Sequence, residues 1–531
     1  MGRNSAGASF LKGYFLHGKP DQFWVYSETS HKAQLFANAL SENRKRTNVK
    51  FISWKNFAGI KEPGNIFFPG PHFNSLAWQR RFVGDAAWSI CGITHTTASK
   101  VVMDALGGYY TSPVTSWDAL ICTSNAVKAN VDYILEKKRK YLADELGISN
   151  FVGPQLPIIP LGINTSEFDF SQKDREKARS FFRISKDTVT IVYVGRLSYH
   201  AKANPVPMYL AIEEAARLNP KRKIIIIECG WDATDGIRDT FSELANRTLD
   251  LVKTIFVDGR DQDRVKMVWS ASDIYCSFSD NIQETFGISP IEAMASGLPV
   301  VVSDWNGYKE SIRDEVDGFR VSTTMPTMGF GNELAISHSV GSSNYDQYIG
   351  KASAYVALDI QHAVKRFDQL IKSRDLRINL GEMAKKRAYE KYDWRHIIPQ
   401  YEDLWASLAE ERTKHLESST PRITWPERPD PFASFSHYAT KKLIETDKIE
   451  YGHKDYDSTM KAYRMFRKLK INSFLKTELS TDEEIELMIK NLESGGNRTK
   501  DLLELFSETR QPIAYLSICW LLKMGIVKIS T

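Results

Sequence analysis

The sequence predicts an α/β protein made of two doubly wound, Rossmann-like lobes facing a cleft, with a mainly helical appendage behind them. Three observations carry that prediction. Short apolar runs alternate with amphipathic stretches twice, over residues 20–160 and again over 189–303, and strands alternating with helices at this spacing form parallel sheets covered by helices. Between 279 and 310 a glycine turn, a helix start and a buried strand share one segment with two carboxylates. After Glu411 the alternation stops, and helical sequence of mixed charge follows a proline-rich stretch at 421–431.

The first lobe is expected over 1–168, with strands at 23–26, 49–54, 66–68, 88–93, 119–123 and 156–161. The chain reaches Ser5-Ala6-Gly7 almost at once and runs into a helical stretch at 10–15. The lobe is therefore expected to lack its opening strand, or to receive it differently, because the start of the sequence lies downstream of the real one or the chain is a fragment. A polar, charged linker at 168–185 leads to the second lobe, over 169–391, with strands at 189–194, 223–228, 254–257, 274–278 and 299–303. Ligands of such sheets bind beyond the carboxyl ends of the strands.

The loop 323–349 is rich in Gly, Ser and Asn and far exceeds the usual ~4–6 residues, so it reads either as a lid or as cover for a sheet edge. Tyr392, Trp394, Tyr401, Leu404 and Trp405 form an aromatic stripe that places a helix over 392–411. The appendage, 412–531, shows helices at 481–492, 500–506 and 512–524 closing on a short strand, a winged-helix-like order. Asp482, Glu483, Glu484 and Glu486 offset its basic residues, which disfavours nucleic acid. Protein docking or self-association is the expected role.

With 531 residues, 42% hydrophobic and 25% charged, the chain has the balance of a soluble globular protein and is too long for one ordinary domain. A net charge of +5 is small for this length and implies no nucleic-acid partner. Five cysteines without paired spacing read as buried, reduced thiols. No apolar run reaches the ~20 residues that cross a bilayer, and the first residues lack the apolar core of a secretory signal. A cytoplasmic protein is expected.

In the segment 279–310, Glu284 stands on a loop entering a helix and Glu292 stands inside it, with Phe286-Gly287 between them. Glycine lets backbone approach a ligand closely, and the unpaired N–H groups of the following helix start, at Gly287-Ile288, favour phosphate. Glu284 can accept hydrogen bonds from sugar hydroxyls, and Glu292 from a ribose. An isolated pair of this spacing would equally fit an acidic turn complementing a helix dipole.

The wider string, ETFG followed by EAMASGLPVV with glutamates at 284 and 292, resembles the donor-binding signature of retaining glycosyltransferases of family 4. Asn306-Gly307 stands where that family usually has two glycines. The resemblance implies the two-lobed GT-B fold over about 1–411, with the 392–411 helix crossing back onto the first lobe. It implies transfer of a hexose-like sugar from a nucleotide-diphosphate sugar to a glycan or lipid-linked acceptor, as in bacterial polysaccharide or lipopolysaccharide synthesis. It further implies retention by a front-face route, in which the leaving phosphate helps deprotonate the incoming hydroxyl.

Gly195-Arg196-Leu197 followed by Lys202 resembles the family's cationic turn, so Arg196 and Lys202 would grip the diphosphate. The spacing is one residue longer than the common form, with His200 in the insertion. His95, after a strand end, would meet the transferred sugar or simply pack there, and His72 would line the acceptor side. Phe286, Gly287 and Ile288 would frame the donor, and Arg260 would stack on the base. No metal-binding pattern is present, so side-chain cations are expected to replace a metal, and no cofactor is expected. Basic clusters at Arg44-Lys45-Arg46, Arg80-Arg81 and Lys137-Lys138-Arg139-Lys140 fit either contact with an anionic membrane or solvated helix ends. Two other functions fit the same residues: a catalytically silent nucleotide-sugar-binding protein, and a GT-B-shaped phosphorylase or epimerase.

Overall fold

The computed structural model describes residues 2–44, 48–231, 236–417, 419–422, 425–493 and 495–530, with backbone alone at 2–5. It divides into two compact units, Met1–Thr424 and Trp425–Thr531. Lys45 and Arg46 of the first basic cluster lie outside the described residues.

The first unit opens with a helix, Gly2–His17, so Ser5-Ala6-Gly7 lies within a helix rather than at a glycine turn. A Cβ on Gly13 would fall 2.3 Å from Trp394 Cγ; glycine here lets the helix press against that indole. The first lobe's strands form two parallel pieces rather than one sheet. One pairs β1 (Phe23–Ser27) with β2 (Val49–Ser53), and the other joins β3 (Asn65–Phe68), β4 (Ser89–Ile93) and β5 (Ala119–Ile121). The run at 156–161 is not a strand. Pro154, Pro157 and Pro160 interrupt its neighbourhood, and a ring nitrogen donates nothing to a ladder. Isolated bridges alone join it to β5 and the residue after it, Gln155 to Ala119 and Ile158 to Cys122.

The linker carries a helix, Gln172–Phe181, started by a capping box between Ser171 and Asp174. The second lobe then holds one six-stranded parallel sheet. Its strands are β6 (Val189–Val194), β7 (Ile224–Gly230), β8 (Lys253–Asp258), β9 (Ile274–Ser277), β10 (Val300–Ser303) and β11 (Gly318–Val321), in the order β11-β10-β9-β6-β7-β8. Strand order reverses between β6 and β9, the place where doubly wound sheets open a ligand crevice. The sheet is buried on both faces: Ile191, Ile226 and Val301 enter one core, and Val192, Ile225 and Val302 another. That explains the unbroken β-branched runs of these strands.

After β11, β12 (Thr323–Thr324) pairs antiparallel with β13 (Ala357–Leu358). The pairing closes residues 325–356 into an insertion, which holds two helices, Asn332–Ser339 and Tyr345–Ser353, rather than an open loop. The crossing helix, Trp394–Thr413, is capped by Asp393 and packs Trp394, Ile397, Ile398, Tyr401 and Leu408 against Cys91, Ile93, Ala119 and Ile121 of the first lobe. Residues 419–422 stay with this unit: the Ala86 N–H donates to Ser419 Oγ at 2.7 Å and the Arg422 N–H to the Arg81 carbonyl at 3.0 Å.

The second unit packs helices Tyr456–Arg467, Asp482–Lys490, Thr499–Leu503 and Gln511–Lys523 around Ile449, Tyr463, Ile489, Leu502 and Ile518. A three-stranded antiparallel sheet completes it, from β14 (Lys448–Tyr451), β15 (Asn497–Arg498) and β16 (Val527–Ile529). All five cysteines are free thiols, four of them buried. Among the described residues no helix is long and apolar enough to cross a membrane.

Candidate functional site

Three neighbouring strand ends meet backbone to backbone. A Cβ on Gly230, at the end of β7, would fall 2.2 Å from the Gly195 carbonyl oxygen beyond β6, and one on Gly259, beyond β8, would fall 3.0 Å from Gly230 Cα. The Gly195 N–H donates to the Cys229 carbonyl and the Leu197 N–H to that of Trp231, both at 3.0 Å. Glycines therefore line the carboxyl edge of the sheet beside its switch point. Arg196 leaves this edge, with Nη2 donating to the Ala201 carbonyl at 3.3 Å.

The turn after Arg196 absorbs the extra residue without displacing Lys202. Asn281 Nδ2 donates to the His200 carbonyl at 2.7 Å and Ser279 Oγ to that of Lys202 at 3.2 Å, while Gln283 bonds the Ala201 carbonyl. Lys202 Nζ thereby forms an ion pair with Glu284, whose side chain is 10% exposed against 27% for the lysine. Burial alone would raise the Glu284 carboxyl. The Lys202 ammonium and the N–H groups of Thr285 and Phe286 overcome that and hold it below its ordinary value.

Gly287 caps the helix Ile288–Ala295 with φ +86°, and a Cβ there would fall 2.0 Å from Tyr308 Cε1. Asn306 also has positive φ, +35°, a conformation asparagine tolerates better than most residues. This accounts for Asn-Gly where two glycines are usual. Ile288 is the first residue of the helix and packs at the core edge. Phe286, by contrast, is 4% exposed and its ring packs edge-on to Tyr392, so its side chain belongs to the core. Glu292 sits one turn into the helix, and burial, with the nearby Glu167 charge, raises its carboxyl to about 7.

The first lobe closes on the same loop. Ser124 Oγ donates to the Thr285 carbonyl at 2.8 Å, and the Glu310 carboxylate accepts from the Asn125 N–H at 2.7 Å and from its Nδ2 at 2.8 Å. Glu310 thus caps the helix Asn125–Leu146 from across the cleft. The insertion adds a second bridge: Tyr345 OH donates to Gln283 Oε1 at 3.1 Å and lies 3.3 Å from Thr96 Oγ1. Ala98 of the first lobe, Ala201 of the cationic turn and Ile349 of the insertion bury one another.

His95 lies next to Thr96, with Nε2 3.3 Å from the Pro69 carbonyl oxygen, so the Thr96–Tyr345–Gln283 bridge links its neighbourhood to that of Glu284. His72 is exposed, its ring edge-on to Phe68. Arg260 is 62% exposed and turned back on Asp258, with Nη2–Oδ2 2.7 Å, which holds the Asp258 carboxyl down at about 2. A base-stacking position would require that pair to open. Arg80 of the second basic cluster is fully buried on Asp118, donating from Nη2 at 2.9 Å, and so is not a surface charge that could meet a membrane.

Sequence reasoning did not single out Gln283, Tyr345, Asp280 or Glu228. Burial raises the carboxyls of Asp280 and Glu228 to about 7 each. Glu228 is wholly buried behind the Gly195 turn, accepting from Tyr209 OH while Oε2 has no partner. Its folded pKa exceeds the unfolded one, so its stabilising contribution is complete in acid and is lost as pH rises through about 7. Urea unfolding is expected to show lower stability at about pH 7.5 than at about pH 5, and Glu228→Gln to reduce that difference by roughly 1–3 kcal/mol. Asp280 and Glu292 would retain the rest. An unchanged pH dependence in the variant would mean that the Glu228 carboxyl titrates normally.

Residues 174–328 match the family model described as glycosyl transferases group 1. An uncharacterized glycosyltransferase of Methanocaldococcus jannaschii is 27% identical over 333 residues, 61% of this chain and 72% of that protein. A D-inositol 3-phosphate glycosyltransferase of Nocardia farcinica is 27% identical over 169 residues, 32% of this chain and 36% of the relative, so the chain spans about a third of that enzyme's length. Among solved structures, Anabaena HepE in complex with UDP superimposes with a TM-score of 0.51 and 16% identity, covering 77% of this chain and 96% of the other. The chain has a GT-B-type fold with a helical C-terminal region.

Proposed function

We propose that the protein is a glycosyltransferase that moves a hexose-like sugar, with retention, from a nucleotide-diphosphate sugar to a glycan or lipid-linked acceptor in surface polysaccharide or glycoconjugate synthesis. The observation that carries this reading is the convergence of Arg196, Lys202 and Glu284 at glycine-lined strand ends, beside the helix start at Gly287. The match of 174–328 to group 1 glycosyl transferases covers this same constellation.

Arg196 and Lys202 supply the positive charge that a departing diphosphate needs, and the amino end of Ile288–Ala295 adds fixed dipoles. Glu284, held ionised, is an acceptor for sugar hydroxyls. Lys202 rests on Glu284, and an incoming diphosphate would compete for that ammonium. Charge neutralisation is assigned to these side chains and not to a metal, so turnover is expected to withstand EDTA. The test is a thermal-shift panel of UDP-, GDP- and other nucleotide sugars, followed by nucleotide release with and without acceptor. UDP-glucose is the first probe, because HepE was solved with UDP and glucose. Stabilisation by one nucleotide sugar, weakened in Glu292→Ala, is expected; no stabilisation by any of them would reject the reading.

Tyr345→Phe removes the hydroxyl that joins Gln283 and Thr96 across the cleft. With hydrogen bonds contributing about 1 kcal/mol each, a loss of roughly 5–30-fold in kcat/KM is expected. The unliganded protein should lose no more than about 1–2 kcal/mol in urea unfolding, since both contacts are already made in it. If kcat/KM is unchanged, the insertion only covers a sheet edge.

A further inference from the structure

A second cleft lies at the opposite end of the donor-side sheet, where β9 and β10 begin. Arg175, Arg374 and Arg377 line it, with Asp273 as the one carboxylate of the lining. Asp273 is already committed: Arg175 and Arg179 both pair with it, and it accepts the Thr190 N–H at 2.8 Å. Arg374 and Arg377 meet no further carboxylate in the lining of the cleft. Arg377 is anchored by donating from Nη1 to the Leu370 carbonyl, and burial and then the neighbouring arginines depress its pKa although Asp273 opposes them. A guanidinium remains charged under such pressure.

Two helices, Gln172–Phe181 and Arg374–Lys391, begin at this cleft and direct their positive dipole ends toward it. Its volume is about 240 Å³, below the ~300–1,000 Å³ of pockets for drug-sized ligands. A nucleotide sugar is too large for it. Phe170 and Ile378 give the lining its accessible apolar surface, while Trp269 and Leu298 lie buried beneath it. Ser296 and Gly297 also line the cleft, at the trailing end of the helix that begins at Gly287.

We propose that this cleft binds a small phosphate ester, with the phosphate on Arg374 and Arg377 and the carbon body against Phe170 and Ile378. Guanidinium forks match phosphate oxygens bidentately, and nothing in the donor site is needed for this binding. Calorimetric titration of the full chain with glucose 6-phosphate, glycerol 3-phosphate and inorganic phosphate tests it. One ester is expected to bind more tightly than phosphate, with at least a ~10-fold loss in Arg374→Glu. Arg374 is exposed at the first position of its helix, so this variant should keep the wild-type thermal midpoint. Arg377→Gln gives a second reading with a side chain that can still donate to the Leu370 carbonyl. Arg196→Ala, in the donor site, is expected to leave ester binding unchanged. Absence of binding by either ester at ~10 mM, equal affinity in Arg374→Glu, phosphate binding as tightly as the esters, or loss in Arg196→Ala instead would each overturn the proposal.

Discussion

Replacing Lys202 by methionine is expected to lower sugar transfer by about 10²–10³-fold, the loss that follows removal of one fixed group aimed at developing charge. Ground-state binding should suffer less, with donor KM rising about tenfold or below, because the diphosphate gains charge only as the glycosidic bond breaks. The same substitution strands Glu284. Its side chain is 10% exposed, and without the ammonium its burial is opposed by the Thr285 and Phe286 N–H groups. Breaking a fully buried pair costs about 3–5 kcal/mol; with Lys202 itself 27% exposed, roughly 1–3 kcal/mol is the reasonable range. The double variant Lys202→Met, Glu284→Gln separates the two effects. It should recover most of the stability and none of the turnover, as read from urea unfolding and initial rates of nucleotide release. Near-wild-type rates in Lys202→Met would remove this lysine from the chemistry.

How much of this was legible in the sequence depends on how local the cause is. The runs that became β6, β7, β9 and β10 read correctly because a strand buried on both faces needs continuous apolar residues. Gly318–Val321 escaped because Gly-Phe-Arg-Val has no such run; its place is set by pairing with β10. The break between β1-β2 and β3-β4-β5 is likewise a matter of pairing, which no single segment encodes. The opening helix was legible in part: 10–15 reads as helical while Ser5-Ala6-Gly7 reads as a turn, and the fit of Gly13 against Trp394, a contact far away in sequence, is written in neither segment.

At the candidate site, Lys202, Glu284 and Gly287 were singled out by the resemblance of their motifs, and the fold pairs Lys202 with Glu284 beside the helix start at Gly287. The side chains holding the neighbouring turns were not. Gln283 shows its purpose only through the Ala201 carbonyl and Tyr345, and Tyr345 lies in an insertion whose composition reads as loop. Glu228 ends the apolar run read from the sequence, 223–228, but lies inside β7, fully buried with Tyr209 against it. The same limit explains Arg80, one of two adjacent arginines in the sequence but wholly enclosed once Asp118 folds beneath it.

Gly287→Ala is expected to destabilise the protein by roughly 2–5 kcal/mol and to abolish measurable stabilisation by a nucleotide sugar. Two costs combine. Placing a Cβ at φ +86° costs about 1–2 kcal/mol, and the methyl group would fall 2.0 Å from Tyr308 Cε1. Tyr308 is 1% exposed and its hydroxyl lies 3.2 Å from Ser277 Oγ, so the ring has little room to retreat and overpacking adds about 1–3 kcal/mol. Gly297→Ala isolates the first cost: φ there is +77°, and a Cβ would meet only Lys385 Cδ at an ordinary 3.9 Å. It should therefore lose only the backbone share and retain nucleotide-sugar binding. Urea unfolding of both variants, with a thermal-shift titration of each, reads the difference. Equal losses in the two would mean that Tyr308 yields and that glycine is required at 287 for its dihedral angle alone, and the helix start would then tolerate a side chain where the phosphate-facing backbone is proposed to lie.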